Sequence, residues 1–172
     1  MFRIVLTAMF AAMVCVATLS IRIPSPTNGY VNLGDALVLM SAFMLGPVYG
    51  GAAAGIGSML ADLISGYAHY APGTLIIKLL IAVVTALIYR ALSALNSGFK
   101  QPLRCIIAGI PGEIIMVGGY LCYSWVFLSK GAAALTSVPG NIAQAVAGIV
   151  IAAVLTPLVT SPKEIRERLE NF

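Results

Sequence analysis

Long apolar runs alternate with short polar segments along the whole chain. At ~20 residues for one bilayer crossing, most of these runs are long enough for a transmembrane helix, whereas the second, which Asp35 opens, spans a bilayer only if the two residues before it join the helix. The pattern predicts an all-α integral membrane protein, a single domain over residues 1–172 with six transmembrane helices. These helices are predicted over residues 4–21, 33–45, 48–65, 74–95, 103–128 and 141–160.

Proline and glycine mark the predicted breaks between the helices. Pro24 and Pro26 lie in the string IPSPTNGY, which is rich in turn formers, so residues 22–34 are predicted to be a long loop. Gly46 and Pro47 predict a tight turn between the second and third helices.

Composition supports the membrane class. Of the 172 residues, 60% are hydrophobic and only 9% are charged, against about 25% charged in soluble domains. The basic residues stand at the ends of apolar runs, which indicates topology signals and no nucleic-acid surface. The three cysteines lie within apolar runs and form no CxxC pair, so no disulfide, metal site or cofactor is predicted.

Lysine and arginine set the predicted orientation. The first apolar run has two readings, a signal peptide or a retained helix, and the absence of an Ala-x-Ala cleavage site favours the retained helix. Cytoplasmic loops are enriched in basic residues, which predicts that both termini are cytoplasmic. The cytoplasmic side would then hold Arg3, Arg90, Lys100, Arg104, Lys163, Arg166 and Arg168, and the outer side Arg22 and Lys130.

The chain has no motif for nucleotide hydrolysis or metal catalysis. GxxxxGK[ST], HExxH and GxSxG are all missing from the sequence, and one histidine cannot build a multi-histidine metal site. We therefore predict no catalytic residue and no ATP hydrolysis by this chain.

Polar side chains within the bilayer are costly, which makes them candidates for function. In the predicted topology they converge from several helices and two loops on the outer half of the membrane, as expected for a small-molecule pocket that opens outward. The predicted pocket residues are Asn32, Asp35, Asp62, His69, Tyr70, Lys78, Tyr120, Tyr123, Asn141 and Gln144.

The buried charges have more than one interpretation. Asp62 and Lys78 are predicted at similar depth, so they form a structural ion pair, contact the ligand, or do both. Glu113 is predicted far below Lys78, which favours a neutral or helix-bonded acid over a partner of that lysine.

The other candidates also have structural alternatives. Tyr70, Tyr120 and Tyr123 suit an interfacial aromatic belt as well as a pocket, although the latter two are predicted deeper than a belt. Asn141 suits a helix N-cap, and His69, in a loop, suits a solvated residue.

The first helix carries a stripe of small residues that includes the AxxxA spacing of Ala8 and Ala12. Small residues allow another helix to approach closely. The partner helix belongs either to this chain or to another protein.

Several strings in the chain resemble the substrate-binding S components of energy-coupling factor (ECF) vitamin transporters. They are the AxxxA stripe, YVNLGDALVL, GIGSMLADLISGY, PGTLIIK, GEIIMVGGY and PGNIAQAVAG, scattered over residues 8–148. The pattern looks like the branch assigned to riboflavin, hydroxymethylpyrimidine or pyridoxine, and the second and third of these are favoured.

The resemblance implies a multi-pass protein of a prokaryotic plasma membrane that captures a vitamin or vitamin precursor from outside. It also implies partners that supply energy, namely a transmembrane coupling subunit, on which Ala8 and Ala12 would pack, and two ABC ATPases. Two other classes stay open: a stand-alone ion- or proton-coupled transporter that uses Asp62, Lys78 and Glu113 as a relay, and an intramembrane enzyme, for which no nucleophile and base are recognisable.

Overall fold

A computed structural model describes residues 1–25, 29–95 and 98–162 of the chain, so the predicted tail cations Lys163, Arg166 and Arg168 lie outside the described residues. The elements, in order, are α1 (Phe2–Ser20), β1 (Arg22–Ser25), β2 (Gly29–Asn32), α2 (Gly34–Ile64), α3 (Ala71–Ala94), α4 (Gln101–Cys122) and α5 (Val138–Thr160). A π-helical turn (Tyr123–Phe127) and a 3₁₀ helix (Gly131–Ser137) connect α4 to α5.

The chain is mostly helical, and within the described residues five helical segments are long and apolar enough to cross a membrane. The predicted class, a helical multi-pass membrane protein, is confirmed at this level. The count of six spans and the cytoplasmic placement of both termini stay predictions.

The helix α2 folds back on itself at Gly46. This residue has φ 76° and ψ −170°, a conformation that interrupts the helix just before Pro47. Across the break, the hydroxyl of Ser41, which precedes Gly46, donates a hydrogen bond to the carbonyl of Gly50, which follows it, at 3.2 Å. Residues nine apart in a straight helix are separated by ~13 Å, so residues 34–45 and 47–64 form a helical hairpin. The predicted turn at Gly46 and Pro47 agrees with this geometry.

The predicted long loop over residues 22–34 is wrong, because β1 and β2 pair as an antiparallel hairpin there. Arg22 pairs with Asn32 and Ser25 with Gly29. Pro24 fits this arrangement because a two-stranded sheet has only edge strands, where a missing N–H is tolerated. The hairpin brings Asn32 to the start of α2.

Three helices begin earlier along the chain than their apolar runs suggest. α3 begins at Ala71, α4 at Gln101 and α5 at Val138, and each has proline in its first turn. Proline is favoured there because its missing N–H is one that the helix leaves unbonded anyway. The prolines that sequence reasoning placed in the connections therefore belong to the helices.

The hairpin helix α2 lies at the centre of the bundle, where it packs against α1, α3 and α5. The core between the helices contains four fully buried side chains, Val14 of α1, Leu39 of α2, Ile81 of α3 and Met116 of α4. Many large apolar side chains on the outer faces are exposed, as expected for surfaces that face lipid.

Candidate functional site

One end of the bundle holds a pocket to which every helix contributes. Its empty space is about 550 Å³, including the part that is open to solvent. The lining residues are Thr18, Tyr30, Asn32, Ser58, Asp62, Tyr70, Thr74, Lys78, Tyr120, Ser124, Ser137, Asn141 and Gln144.

A buried polar network supports this pocket. Lys78 of α3 forms an ion pair with Asp35 of α2, and both side chains are almost completely buried. The Gln144 amide donates to the other Asp35 oxygen at 2.6 Å, and the Gln144 carbonyl accepts from the Asn32 backbone N–H at 2.7 Å. The network therefore joins α2, α3, α5 and the β-hairpin.

Glycine allows α5 to approach α2 closely enough for this network. Gly148 lies one turn beyond Gln144, and a Cβ there would lie 3.0 Å from the Asp35 Cβ. The Asn32 side chain accepts a hydrogen bond from the Gly34 N–H at 2.8 Å, and this bond orients the β-hairpin relative to the first turn of α2. Close packing at Gly148 and the hydrogen bond between Asn32 and Gly34 thus position the network.

The predicted ion pair between Asp62 and Lys78 is wrong, because the contact partner of Lys78 is Asp35. Asp62 instead accepts a hydrogen bond from the Tyr30 hydroxyl at 2.6 Å. Burial raises the pKa of the Tyr30 phenol, and the negative charge of Asp62 raises it further. The phenol therefore stays protonated at neutral pH and remains a donor.

Besides Tyr30, Tyr70 and Tyr120 form the aromatic part of the pocket wall. The Tyr120 hydroxyl donates to Thr74 Oγ1 at 3.1 Å, and Lys78 Nζ lies 5.4 Å from the centre of the Tyr120 ring. Tyr70 is buried, and its hydroxyl lies 3.1 Å from Ser124 Oγ. These two rings line the pocket, as the pocket interpretation predicted.

Three predicted pocket residues lie outside the lining. Asp35 is fully buried behind the pocket, where it holds Lys78 and Gln144. The Tyr123 hydroxyl donates to the backbone carbonyl of His69 at 2.9 Å. The His69 side chain is exposed, and its ring centre lies 4.9 Å from that of Tyr70. The other seven predicted residues all line the pocket.

Asn141 is not the N-cap of its helix, because α5 begins at Val138 and the cap position belongs to Ser137. The Asn141 side chain is 8% exposed and lines the pocket. Within the described part of the chain it has no hydrogen-bond partner, so its amide is available to a ligand.

Six lining residues were not predicted, and helical spacing identifies most of them. Ser58, Thr74 and Ser137 each lie one turn before a predicted pocket residue, and Ser124 lies one turn after Tyr120. Tyr30 lies two residues before Asn32 on the same strand, so both point to one face. Thr18, near the end of α1, carries no comparable signal.

The pocket contains polar atoms that the protein leaves unsatisfied. Ser58 Oγ and Asp62 Oδ2 are buried and have no hydrogen-bond partner in residues 1–25, 29–95 and 98–162. Unpartnered buried polar atoms are costly, and a bound ligand removes that cost. Within the same ranges, no three His, Cys, Asp or Glu residues cluster as metal ligands do.

Glu113 is the remaining buried acid, and it lies outside the pocket lining. Its side chain is 2% exposed, and neither carboxylate oxygen has a hydrogen-bond partner in the described residues. The helix-bonded alternative is therefore wrong, and the neutral acid stays a prediction. Within the described residues Glu113 forms no ion pair, and the partner of Lys78 is Asp35.

The small-residue stripe of α1 is divided between two faces: Ala8 and Ala12 face outward, whereas Ala11 and Cys15 pack toward the bundle. Ala8 and Ala12 are exposed, whereas Phe10 and Val14 on the other face are buried against the bundle. The intramolecular interpretation of the stripe is therefore wrong for Ala8 and Ala12.

Comparison with known proteins identifies a family and a relative. Residues 1–161 match a family model described as "ECF-type riboflavin transporter, S component". A relative from Pyrococcus woesei, described as "Uncharacterized protein in gap 3'region", is 37% identical over 139 residues, which cover 80% of this chain and 88% of the relative.

Proposed function

The chain belongs to the ECF-type riboflavin transporter S component family, and from this premise we propose that it is the high-affinity substrate-binding subunit of an ECF-type ABC importer. It captures a small vitamin from outside the cell and delivers it together with an energising module. The family is a transporter family and not an enzyme family. The observation that carries the proposal is the polar pocket at one end of the apolar bundle, with buried unsatisfied groups at Ser58 and Asp62.

The chemistry of the pocket suits a small heteroaromatic ligand. Tyr70 and Tyr120 offer ring faces, Lys78 and Asn141 offer donors, and Asp62 offers an acceptor. Binding sites of this kind combine apolar and aromatic walls with a few polar groups that orient the ligand.

We propose riboflavin as the first substrate to test, since the description of the family supports it. The sequence favoured hydroxymethylpyrimidine or pyridoxine, and both belong in the same experiment. All three vitamins offer an aromatic ring with hydrogen-bonding substituents.

The distribution of charge supports the proposed orientation, with six spans and both termini in the cytoplasm of a prokaryotic cell. Arg3 stacks on Tyr49, 5.9 Å from its ring centre, and Arg90 contacts Gly46, so both cations lie at the end of the bundle away from the pocket. At the pocket end, Arg22 lies 6.0 Å from the Tyr30 ring centre. Because basic residues concentrate in the cytoplasm, the pocket opens outward.

Energy would come from partner proteins, a transmembrane coupling subunit and two ABC ATPases. Supporting this, the exposed Ala8 and Ala12 form a surface that a helix of another protein can approach closely. No nucleic acid is expected among the partners.

A second candidate, a stand-alone proton-coupled transporter, is favoured by one observation. Glu113 is buried without a hydrogen-bond partner among the described residues, beside the pair of Asp35 and Lys78. Ionisable groups of this kind within a membrane occur in proton relays.

The deciding experiment uses the purified full chain. We expect mass spectrometry to find a co-purified vitamin, titration to give tight 1:1 binding of riboflavin, hydroxymethylpyrimidine or pyridoxine, and no ATPase activity. Liposomes that contain the chain alone should not accumulate the vitamin, with or without a proton gradient. Accumulation driven by the gradient would favour the second candidate, and a chain that binds none of the three vitamins would contradict the proposed substrate class.

A further inference from the structure

Asp62 presents a carboxylate oxygen to the pocket that the protein does not satisfy. The side chain is 4% exposed, and Oδ1 accepts from the Tyr30 hydroxyl at 2.6 Å. The Thr74 hydroxyl is a neighbour of the carboxylate, yet Oδ2 has no hydrogen-bond partner in the described parts of the chain. Tyr30 therefore fixes one oxygen and leaves the other buried without a partner in the wall of the pocket.

No cation contacts Asp62 within the described residues. Lys78, the lysine that lines the same pocket, is paired with Asp35. A buried carboxylate without an ion-pair partner is expensive, so its retention at this position needs a reason other than stability.

A second unsatisfied group lies beside Asp62. Ser58 is one turn earlier on the same helix, is 2% exposed, and lines the pocket with an Oγ that has no partner among the described residues. Ser65, at the end of the same helix, has a satisfied hydroxyl, because this hydroxyl donates to the Ala61 carbonyl at 2.6 Å. The hydroxyl that faces the pocket is thus the one left free.

We infer that Asp62 determines specificity in this pocket, and that the ligand donates an N–H or O–H hydrogen bond to the free Asp62 oxygen, with Ser58 as the adjacent contact. The inference rests on the proposed function in one respect, that the pocket holds the transported vitamin. An ionised carboxylate accepts hydrogen bonds and donates none. An analogue that lacks the donor leaves the buried oxygen unpaired, and sites of this type reject such analogues strongly.

The donor has two possible chemical sources in a flavin, the hydroxyls of the ribityl chain and the ring N3–H. The test compares riboflavin with lumiflavin, which lacks the ribityl chain, and with 3-methylriboflavin, which lacks the ring N–H. Each is titrated against the parent, Asp62→Asn and Asp62→Leu by quenching of flavin fluorescence. The control variant is Ser93→Ala, whose hydroxyl bonds the Tyr89 carbonyl at the other end of α3.

On the parent and the control, we expect the analogue without the relevant donor to bind about 10- to 150-fold more weakly than riboflavin, the range for hydrogen bonds to charged groups. On Asp62→Leu, this ratio should fall below threefold, with Asp62→Asn between the two. The analogue whose ratio collapses identifies the source. Unchanged ratios for both analogues would overturn the inference.

The melting temperature of the ligand-free variants separates specificity from structure. Asp62→Asn removes the buried charge but keeps an acceptor for the Tyr30 hydroxyl, so it should melt at or above the parent temperature, whereas a structural role for the Asp62 charge predicts a clear fall and would refute the inference. If the parent binds hydroxymethylpyrimidine or pyridoxine in place of flavins, the same comparison uses the deoxy analogue of that vitamin. If the parent binds none of them, the proposed substrate class fails, and the melting result alone still decides the role of Asp62.

Discussion

Replacing Lys78 with methionine tests the buried network most directly. Methionine keeps most of the volume and apolar length of lysine but removes the ammonium group. Because Lys78 and Asp35 are 2% and 0% exposed, solvent cannot replace the lost partner. The variant therefore leaves Asp35 as a buried charge held only by the amide of Gln144.

The expected cost follows from this burial. Two unit charges about 4 Å apart attract by about 4 kcal/mol at an effective dielectric constant of 20. Measured losses on breaking one side of a buried pair are ~3–5 kcal/mol. A domain stable by ~5–15 kcal/mol then loses a large part of its stability, so we expect Lys78→Met to melt far below the parent.

The assay is thermal unfolding of the ligand-free protein in detergent, arranged as a double-mutant cycle. Lys78→Met combined with Asp35→Asn removes both charges and should recover most of the loss, with a coupling of about 2–3 kcal/mol. Lys78→Met combined with Asp62→Asn should recover little. The matched control is Lys100→Met, an exposed lysine at the start of α4, which should change stability by no more than ~0.5 kcal/mol.

The opposite pattern of rescue would refute this reasoning. If Asp62→Asn restores stability and Asp35→Asn does not, then Lys78 pairs with Asp62 in the protein. If Lys78→Met melts like Lys100→Met, the ammonium group is not buried at all, and the pocket network is not as described.

Three further predictions concern binding, the helical hairpin and the partner surface. Gln144→Leu leaves two buried groups without hydrogen-bond partners, so vitamin affinity by titration should fall at least ~10-fold, and an unchanged affinity would place the ligand elsewhere. Gly46→Ala forces a side chain into a backbone conformation with φ 76°, so it should lower the free energy of unfolding by ~1–3 kcal/mol. Gly118→Ala is the control, because open space surrounds Gly118, and it should not destabilise the protein. Equal melting temperatures of the two variants would contradict the geometry of the helical hairpin. Ala8→Trp and Ala12→Trp should abolish uptake and recovery of the complex with the coupling subunit while the isolated chain still binds the vitamin, and parallel loss of binding would argue against an interface.

The sequence by itself determined the class of the protein and the approximate positions of its helices. A transmembrane helix satisfies its backbone within one segment, so a local run of apolar residues is enough to predict it. Successive helices cross the membrane in opposite directions, so the C-terminal end of one helix and the N-terminal end of the next lie on the same side. Polar residues near these ends are therefore predicted close together. This is why Asp62, Lys78, Asn141 and Gln144 were all predicted near one pocket, and all of them line it.

Small polar residues were harder to predict because their environment does not show in the local sequence. Serine and threonine in helices often bond their own backbone, as Ser65 does. Ser58 has the same helical setting in the sequence but faces the pocket with a free hydroxyl. Only the packing of the helices distinguishes the two.

Tertiary structure alone decided which charged groups meet. Lys78 and Asp35 are 43 positions apart, and Gln144 is 109 positions from Asp35, so no periodicity connects them. Their contacts depend on how closely α2, α3 and α5 approach, which Gly148 permits, and on the β-hairpin that places Asn32 beside Gln144. Depth in the membrane is a one-dimensional property, so the order of residues in the sequence predicts it. Whether Asp35 or Asp62 pairs with Lys78 depends instead on the rotation of each helix about its axis and on side-chain packing. Only the assembled bundle determines these two.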